Sequence, residues 1–430
     1  MELSLFILGL LTLIIILHFW LKINDSQNIG LHSSINFPLF FFLGWIAYCG
    51  LYLIEIILKN TITETDKFFL IDAIIAVISL IIGAYIYKTH KKKNHIYDLN
   101  QIPNKIFYLS KSRFYFISFL MFIILHFFIV QVYGSWIVFF TQSYGNFLVT
   151  GINSFTSAIP LVIVSFILIF NSHYIILSRS NVLICRVLSI IFILVFMFGG
   201  NRNLGLMMIT AFIFARFQGA KINLILIVFV LIIAIPFFSV VAIGRMYGFI
   251  NFISGDIYIS NSVIWDYIFS ISQGELGTMV KVSEYYNLLN IDRKLEMGYS
   301  YFIQPFINLI PTFIYSERPA TISVDFTRQY WGATGFESQL IGLGFSPIVE
   351  AKMNFGFFWP LTFISLGFLL QLVKEKVKKN NFIFWGALTI VTINFFRIDF
   401  SITFKFFIIV YSFAYFFIKY ATNFEIETKS

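Results

Sequence analysis

The chain has 430 residues, 59% of them hydrophobic and 12% charged, with a mean hydropathy of +0.85. A soluble globular domain is roughly half apolar and a quarter charged, so this composition excludes a soluble enzyme and suits a bilayer. The net charge of +9 has no soluble basic domain to sit on, which gives no case for nucleic acid as a partner.

A membrane-spanning helix needs roughly 20 apolar residues. In chain order, runs of that kind fall at 3–21, 37–58, 68–87, 114–132, 155–177, 183–200, 203–217, 222–243, 353–373, 382–396 and 400–418. They predict an all-α polytopic membrane protein of about 11 transmembrane helices (10–12, since 203–217 and 382–396 are short). The first run lacks a basic leader and a small-residue cleavage site, so it reads as a retained span. Cys49 and Cys185 lie in or beside apolar runs and support neither a disulfide framework nor a metal site.

Basic residues set the orientation. The 88–113 loop carries Lys88, Lys91, Lys92, Lys93, Lys105, Lys111 and Arg113, which makes it cytoplasmic. Counting single crossings from there, Arg179 and Arg186, Arg216 and Lys221, and Lys374, Lys376, Lys378 and Lys379 all fall on the same side. This parity puts the N-terminus outside and the C-terminus inside. It divides the chain into spans 1–244, one large outer loop 245–345 containing short helices, and spans 346–430 with a short inner tail. Within the loop, 260–272 and 275–289 have helical apolar spacing, and 299–315 is apolar but broken by Pro305 and Pro311, as for a segment in the interface or re-entering it. The stretch 317–345 is polar, glycine-rich and expected to be irregular.

Arginines on the outer side do nothing for orientation and are costly near a bilayer, so they are candidates for binding. Arg202 sits in the Gly199-Gly200-Asn201-Arg202-Asn203 turn, Arg245 opens the large loop, and Arg318, Arg328, Lys352 and Arg397 follow. A guanidinium binds phosphate oxygens bidentately, and a group of them suits a lipid-linked pyrophosphate. The same residues could instead reach out to lipid headgroups, and Arg397 could pair with Asp399. Glu350 and Asn354 share a helix face, where a carboxylate can act as general base or simply favour the helix N-terminus. All six histidines lie at or before His173 and no Asp-x-Asp occurs, which argues against a metal-dependent glycosyltransferase site. Tyr299 and Trp331 could stack on sugars or belong to an interfacial aromatic belt.

Four stretches together resemble the Wzy-type O-antigen polymerases. They are Gly199 to Arg202, Gly244-Arg245, Gly298 through Pro311, and Gly344-Phe345-Ser346-Pro347-Ile348-Val349-Glu350 with Asn354-Phe355-Gly356. The resemblance covers roughly 195–375 in motif and the whole chain in architecture. It implies a bacterial inner-membrane enzyme at the periplasmic face that needs no metal or other cofactor. Such an enzyme transfers a growing glycan from undecaprenyl pyrophosphate to the non-reducing end of an incoming lipid-linked repeat unit. Its partners would be those lipid-linked oligosaccharides and the membrane itself, with room for a chain-length regulator. Arg245 and Glu350 would be catalytic, and Arg202, Arg318, Arg328, Lys352, Arg397, Tyr299 and Trp331 would bind pyrophosphate and sugar. The related O-antigen ligases use a histidine in the large outer loop, which this chain lacks. A lipid-linked oligosaccharide flippase is the competing expectation, and it predicts charged residues inside the spans.

Overall fold

The computed structural model describes residues 63–90, 107–141, 154–172, 175–199, 202–217, 278–288, 295–311, 314–329, 344–377 and 381–421, together with 44, 45, 48, 49, 52, 250 and 254. The expected spans 3–21 and 222–243, most of 37–58, and the expected helix 260–272 lie outside the described residues.

The described chain is helical apart from one two-residue parallel bridge. In order it comprises α1 (Glu64–His90), β1 (Phe107–Tyr108), α2 (Lys111–Tyr133), α3 (Trp136–Thr141), α4 (Ser154–Phe170), β2 (Ile175–Ile176), α5 (Arg179–Phe198) and α6 (Arg202–Phe217). Then come α7 (Thr278–Leu288), α8 (Tyr299–Phe302), α9 (Gln304–Leu309), α10 (322–329), α11 (Pro347–Phe355), α12 (Pro360–Lys376), α13 (Phe382–Phe395) and α14 (Phe400–Ala421). Among the described residues four helices are long and apolar enough to cross a membrane: Asp66–Tyr87, Lys111–Tyr133, Arg179–Phe198 and Phe400–Tyr420. The pair Pro347–Phe358 and Pro360–Val373 makes a fifth if it is counted as one span, bent by 115°.

Two of the expected spans differ in detail. The helix expected over 155–177 ends at Phe170, because the chain leaves it to pair Ile175 with Phe107 and Ile176 with Tyr108. The span expected over 353–373 is broken. Gly356 takes φ 53°, a left-handed setting that favours glycine, and Pro360 then starts a fresh helix at a position where its missing N–H costs nothing.

Two large apolar cores organise the bundle, with a smaller third one joining Val282, Ile322, Phe326, Phe345 and Val349. In the larger, α4 is buried on every side from Leu161 to Phe170 and is surrounded by α2, α5, α6, α13 and α14. A helix that is apolar all round is what such a central position requires. The Ser165 hydroxyl bonds its own helix at Leu161 O and crosses to Val410 O of α14 at 3.1 Å. The second core joins α1 to α12, with Trp45, Tyr48 and Tyr52 packed against it. There Gly83 and Gly367 face each other's helix so closely that a Cβ on either would overlap the backbone carbonyl of Ile364 or Leu80. Small residues at a crossing are how helices approach in lipid, where no hydrophobic force drives them together. The outward faces of α1, α2 and α5 carry Phe68, Ile71, Phe116, Phe119, Phe127 and Leu183, an apolar surface of the kind that faces acyl chains.

Helix directions follow from side-chain pairs. α1 runs parallel to the broken helix, since Asp72 meets Lys352 and Leu80 meets Gly367. α4 runs parallel to α14, since Ser165 meets Val410 and Phe170 meets Phe417. α6 is antiparallel to α13, since Met207 meets Asn394 and Phe214 meets Phe382. One end of the bundle therefore holds β1, β2 and the Arg113 guanidinium 5.5 Å from the Tyr420 ring. The opposite end holds the start of α14, with α8, α9 and α11 against it.

Candidate functional site

At that opposite end, the first turn of α14 gathers two buried carboxylates. A helix N-terminus presents unbonded N–H groups and a positive dipole end, so acids belong there. Asp399 is the cap: its carboxylate accepts from the Ile402 N–H at 3.0 Å and from the Ser401 hydroxyl at 2.5 Å. A third donor, the Ser323 hydroxyl of α10, reaches its other oxygen. Glu350 comes from α11 and accepts the Phe400 N–H at 2.9 Å. Both acids are almost fully buried.

Glu350 also binds α8 into the site. The Ser300 hydroxyl donates to its second oxygen at 2.7 Å, and Asn354 Nδ2 donates to Ser300 Oγ at 2.9 Å and to the Glu350 carbonyl at 2.8 Å. The chain Asn354 to Ser300 to Glu350 leaves each hydroxyl and carboxylate oriented. Asn308 of α9 donates to Ser401 Oγ at 2.8 Å, and the Phe345 N–H donates to the Arg397 carbonyl at 2.6 Å. Five separate segments thus meet in one polar knot. Tyr301 covers it, stacked parallel to Phe355 at 6.0 Å and leaning on Phe400 at 5.4 Å. Around the knot, Gln304 Oε1, Ser346 Oγ and Asn354 Oδ1 are buried without a partner. Buried acceptors normally find donors, so these atoms suit a ligand rich in hydroxyls.

The residues singled out from sequence fall into distinct places. Glu350 is at the centre, and Arg397 lies in the turn entering α14, with its carbonyl engaged by Phe345. Arg318 stands before α10, with Nη1 buried and without a hydrogen-bond partner, and its charge is felt by Lys405 of α14. Tyr299 neighbours Ser300 in α8; partial desolvation pushes its phenol up, helped by Tyr315 and Glu296. Arg328 faces outward and pairs with Asp325 at 3.6 Å. Desolvation pushes the Asp325 carboxyl up and Arg328 opposes it. Lys352 is turned away from Glu350, because residues two apart on a helix point to nearly opposite faces. It pairs with Asp72 of α1, beneath the rings of Tyr286 and Trp359 at 5.8 and 5.6 Å. Arg245, Trp331 and the side chain of Arg202 lie outside the described residues.

Sequence reasoning missed Ser300, Ser323, Ser401 and Asn308 as members of the site, and took Asp399 only as a partner for Arg397. A buried acid directly before an apolar helix is a capping signal, and it would have marked Asp399. Asp72, an acid inside an apolar run, could likewise have called for a basic partner. No group of His, Cys, Asp or Glu fit to hold a metal occurs among the described residues. No family model, curated protein or solved structure matches this chain.

Proposed function

We propose that this chain polymerises lipid-linked oligosaccharide repeat units at the outer face of the bacterial inner membrane, as a metal-independent glycosyltransferase with eleven spans and an outer cap at 245–345. The acceptor sugar's hydroxyl attacks the anomeric carbon of the growing glycan. The carbon–oxygen bond to undecaprenyl pyrophosphate breaks, and the released pyrophosphate carries away its electron pair. Glu350 receives the hydroxyl proton. Pyrophosphate is a good leaving group, so the step needs cations more than an acid, and Arg202, Arg245, Arg318, Arg328 and Arg397 supply them.

The observation that carries this reading is the knot at the start of α14, where two buried acids and several unpartnered polar atoms lie beside the turn that carries Arg397. The orientation is supported by the bundle's geometry. The loops before α2 and α5, both expected inside from their basic residues, are joined by the β1–β2 bridge, and the knot lies at the other end. The helix directions follow the same alternation.

A flippase is the second reading, favoured by charge inside the spans: the Asp72–Lys352 pair and Lys405. One experiment separates the two. Purified protein incubated with a lipid-linked repeat unit and no added metal is expected to give a ladder of longer products. Arg245→Ala protein is expected to stay in the membrane and give short products or none. Lipid that crosses leaflets without new glycosidic bonds would overturn the polymerase reading, and normal chain lengths in the Arg245 variant would remove that residue from it.

A further inference from the structure

We propose that the sugar whose hydroxyl meets Glu350 is a neutral one, bound through hydrogen bonds that it donates to Ser346, Asn354 and Gln304, and that a sugar carrying a carboxylate or phosphate there is excluded. The inference rests on the polymerase reading for the sugar itself, and goes beyond it in naming the sugar's class and the residues that select it.

Two polar stripes cross at the knot. Ser346, Glu350 and Asn354 recur at every fourth residue of α11 and its cap, and Ser300, Gln304 and Asn308 at every fourth residue of α8 and α9. Residues four apart share a helix face, and all six are at most 3% exposed. On the opposite side of α8 and α9, Phe302, Ile303 and Phe306 are exposed. Polar side chains inward and apolar ones outward suit an element set in lipid around a polar interior, the reverse of an amphipathic helix in water. The stripes meet where Ser300 donates to Glu350 at 2.7 Å and Asn354 Nδ2 donates to Ser300 Oγ at 2.9 Å.

The atoms that these stripes leave without a partner are oxygens. Asn354 Nδ2 faces the Glu350 carbonyl at 2.8 Å, and Gln304 Nε2 faces the Ala320 carbonyl at 2.7 Å. A carbonyl can only accept, so each amide must turn its nitrogen there and its oxygen away. Those oxygens, Asn354 Oδ1 and Gln304 Oε1, are buried without a partner, as is Ser346 Oγ. Ser346 and Asn354 stand one turn before and one turn after Glu350, and Gln304 one turn after Ser300. Amide and carboxylate oxygens call for donors, which a neutral sugar supplies as hydroxyls or an N-acetyl N–H. An acidic sugar exchanges a donor for a charged acceptor and adds a third negative charge to the buried pair Glu350 and Asp399. The cations that the polymerase reading calls on serve the pyrophosphate, which leaves the sugar to these oxygens.

The test uses the full chain in nanodiscs, with methyl glucoside, methyl N-acetylglucosaminide and methyl glucuronide as probes, each titrated by saturation-transfer NMR against empty nanodiscs. The two neutral probes are expected to bind, and the glucuronide to bind at least about tenfold more weakly. Ser346→Ala removes a hydroxyl that has no partner and caps no N–H, so its melting temperature is expected to equal or exceed that of the wild type. Its affinity for the neutral probes is expected to fall about fivefold. Glucuronide bound as tightly as glucoside overturns the proposal. So does neutral-probe affinity unchanged in Ser346→Ala, or no transfer to any probe. The ladder assay on the same protein keeps the two proposals apart. Selective, Ser346-dependent binding in a protein that builds no polymer retains this site and removes the polymerase. A normal ladder from protein that binds glucuronide and glucoside alike does the reverse.

Discussion

Glu350 shows how one side chain can hold a buried site together. Its carboxylate ties α8, α11 and α14 through Ser300 and the Phe400 N–H. Glu350→Ala strands both donors in a buried place and is expected to cost about 2–3 kcal/mol, read as a lower melting temperature in detergent. Glu350→Gln keeps the shape and a hydrogen-bonding oxygen but cannot take a proton. It is expected to melt near the wild type and to lose the polymer ladder; a full ladder from it would exclude Glu350 as the base. Glu350 was legible in the sequence because an acid stood at the start of an apolar run, one turn from Asn354. Asn354 does serve it, through the Glu350 carbonyl and through Ser300. Ser300 was not legible as its partner. Fifty positions separate the two, and a serine carries no sign of which buried acid it will meet.

At the level of elements, apolar length alone delimited the four described helices long enough to cross a membrane. The runs 68–87, 114–132, 183–200 and 400–418 lie inside observed helices or overrun them by a residue or two. The break at 356–360 was also written in the chain, as Gly356 and Pro360, yet apolar continuity outweighed it in the reading. What holds α1 to the broken helix is the second apolar core with its glycine crossing, together with one ion pair. Gly367→Val should force the two backbones apart and lower stability by about 1–3 kcal/mol, seen as a lower melting temperature or reduced yield from the membrane. Lys352→Met leaves Asp72 largely buried and unpaired, an expected loss of about 3–5 kcal/mol. The double variant Lys352→Met with Asp72→Asn should recover much of that loss, because no lone charge remains. A double variant as unstable as the single one would show that Lys352 matters for something other than Asp72.

For the whole molecule, the decisive quantity is which end faces which compartment. Both cysteines are buried, so single cysteines can be added at exposed positions without much background. Glu317 lies in the exposed stretch just before Arg318, and Ser180 is exposed near the β1–β2 end. A membrane-impermeant maleimide added to intact spheroplasts is expected to label Glu317→Cys and to leave Ser180→Cys unlabelled until the membrane is opened. The opposite pattern would turn the molecule over and place the carboxylate knot in the cytoplasm, where the proposed lipid-linked donor would not be found.

The sequence by itself determined that the chain is helical with several helices apolar and long enough to cross a membrane, because apolar length is a local property summed along the chain. Only the tertiary structure decided which polar residues share a site. Glu350 and Lys352 stand two positions apart and look alike as candidates, yet the twist of one helix sends the first to α14 and the second to α1. Ser300 and Glu350 stand fifty positions apart and become partners, because a buried polar group is placed by the packing of whole helices rather than by its nearest residues.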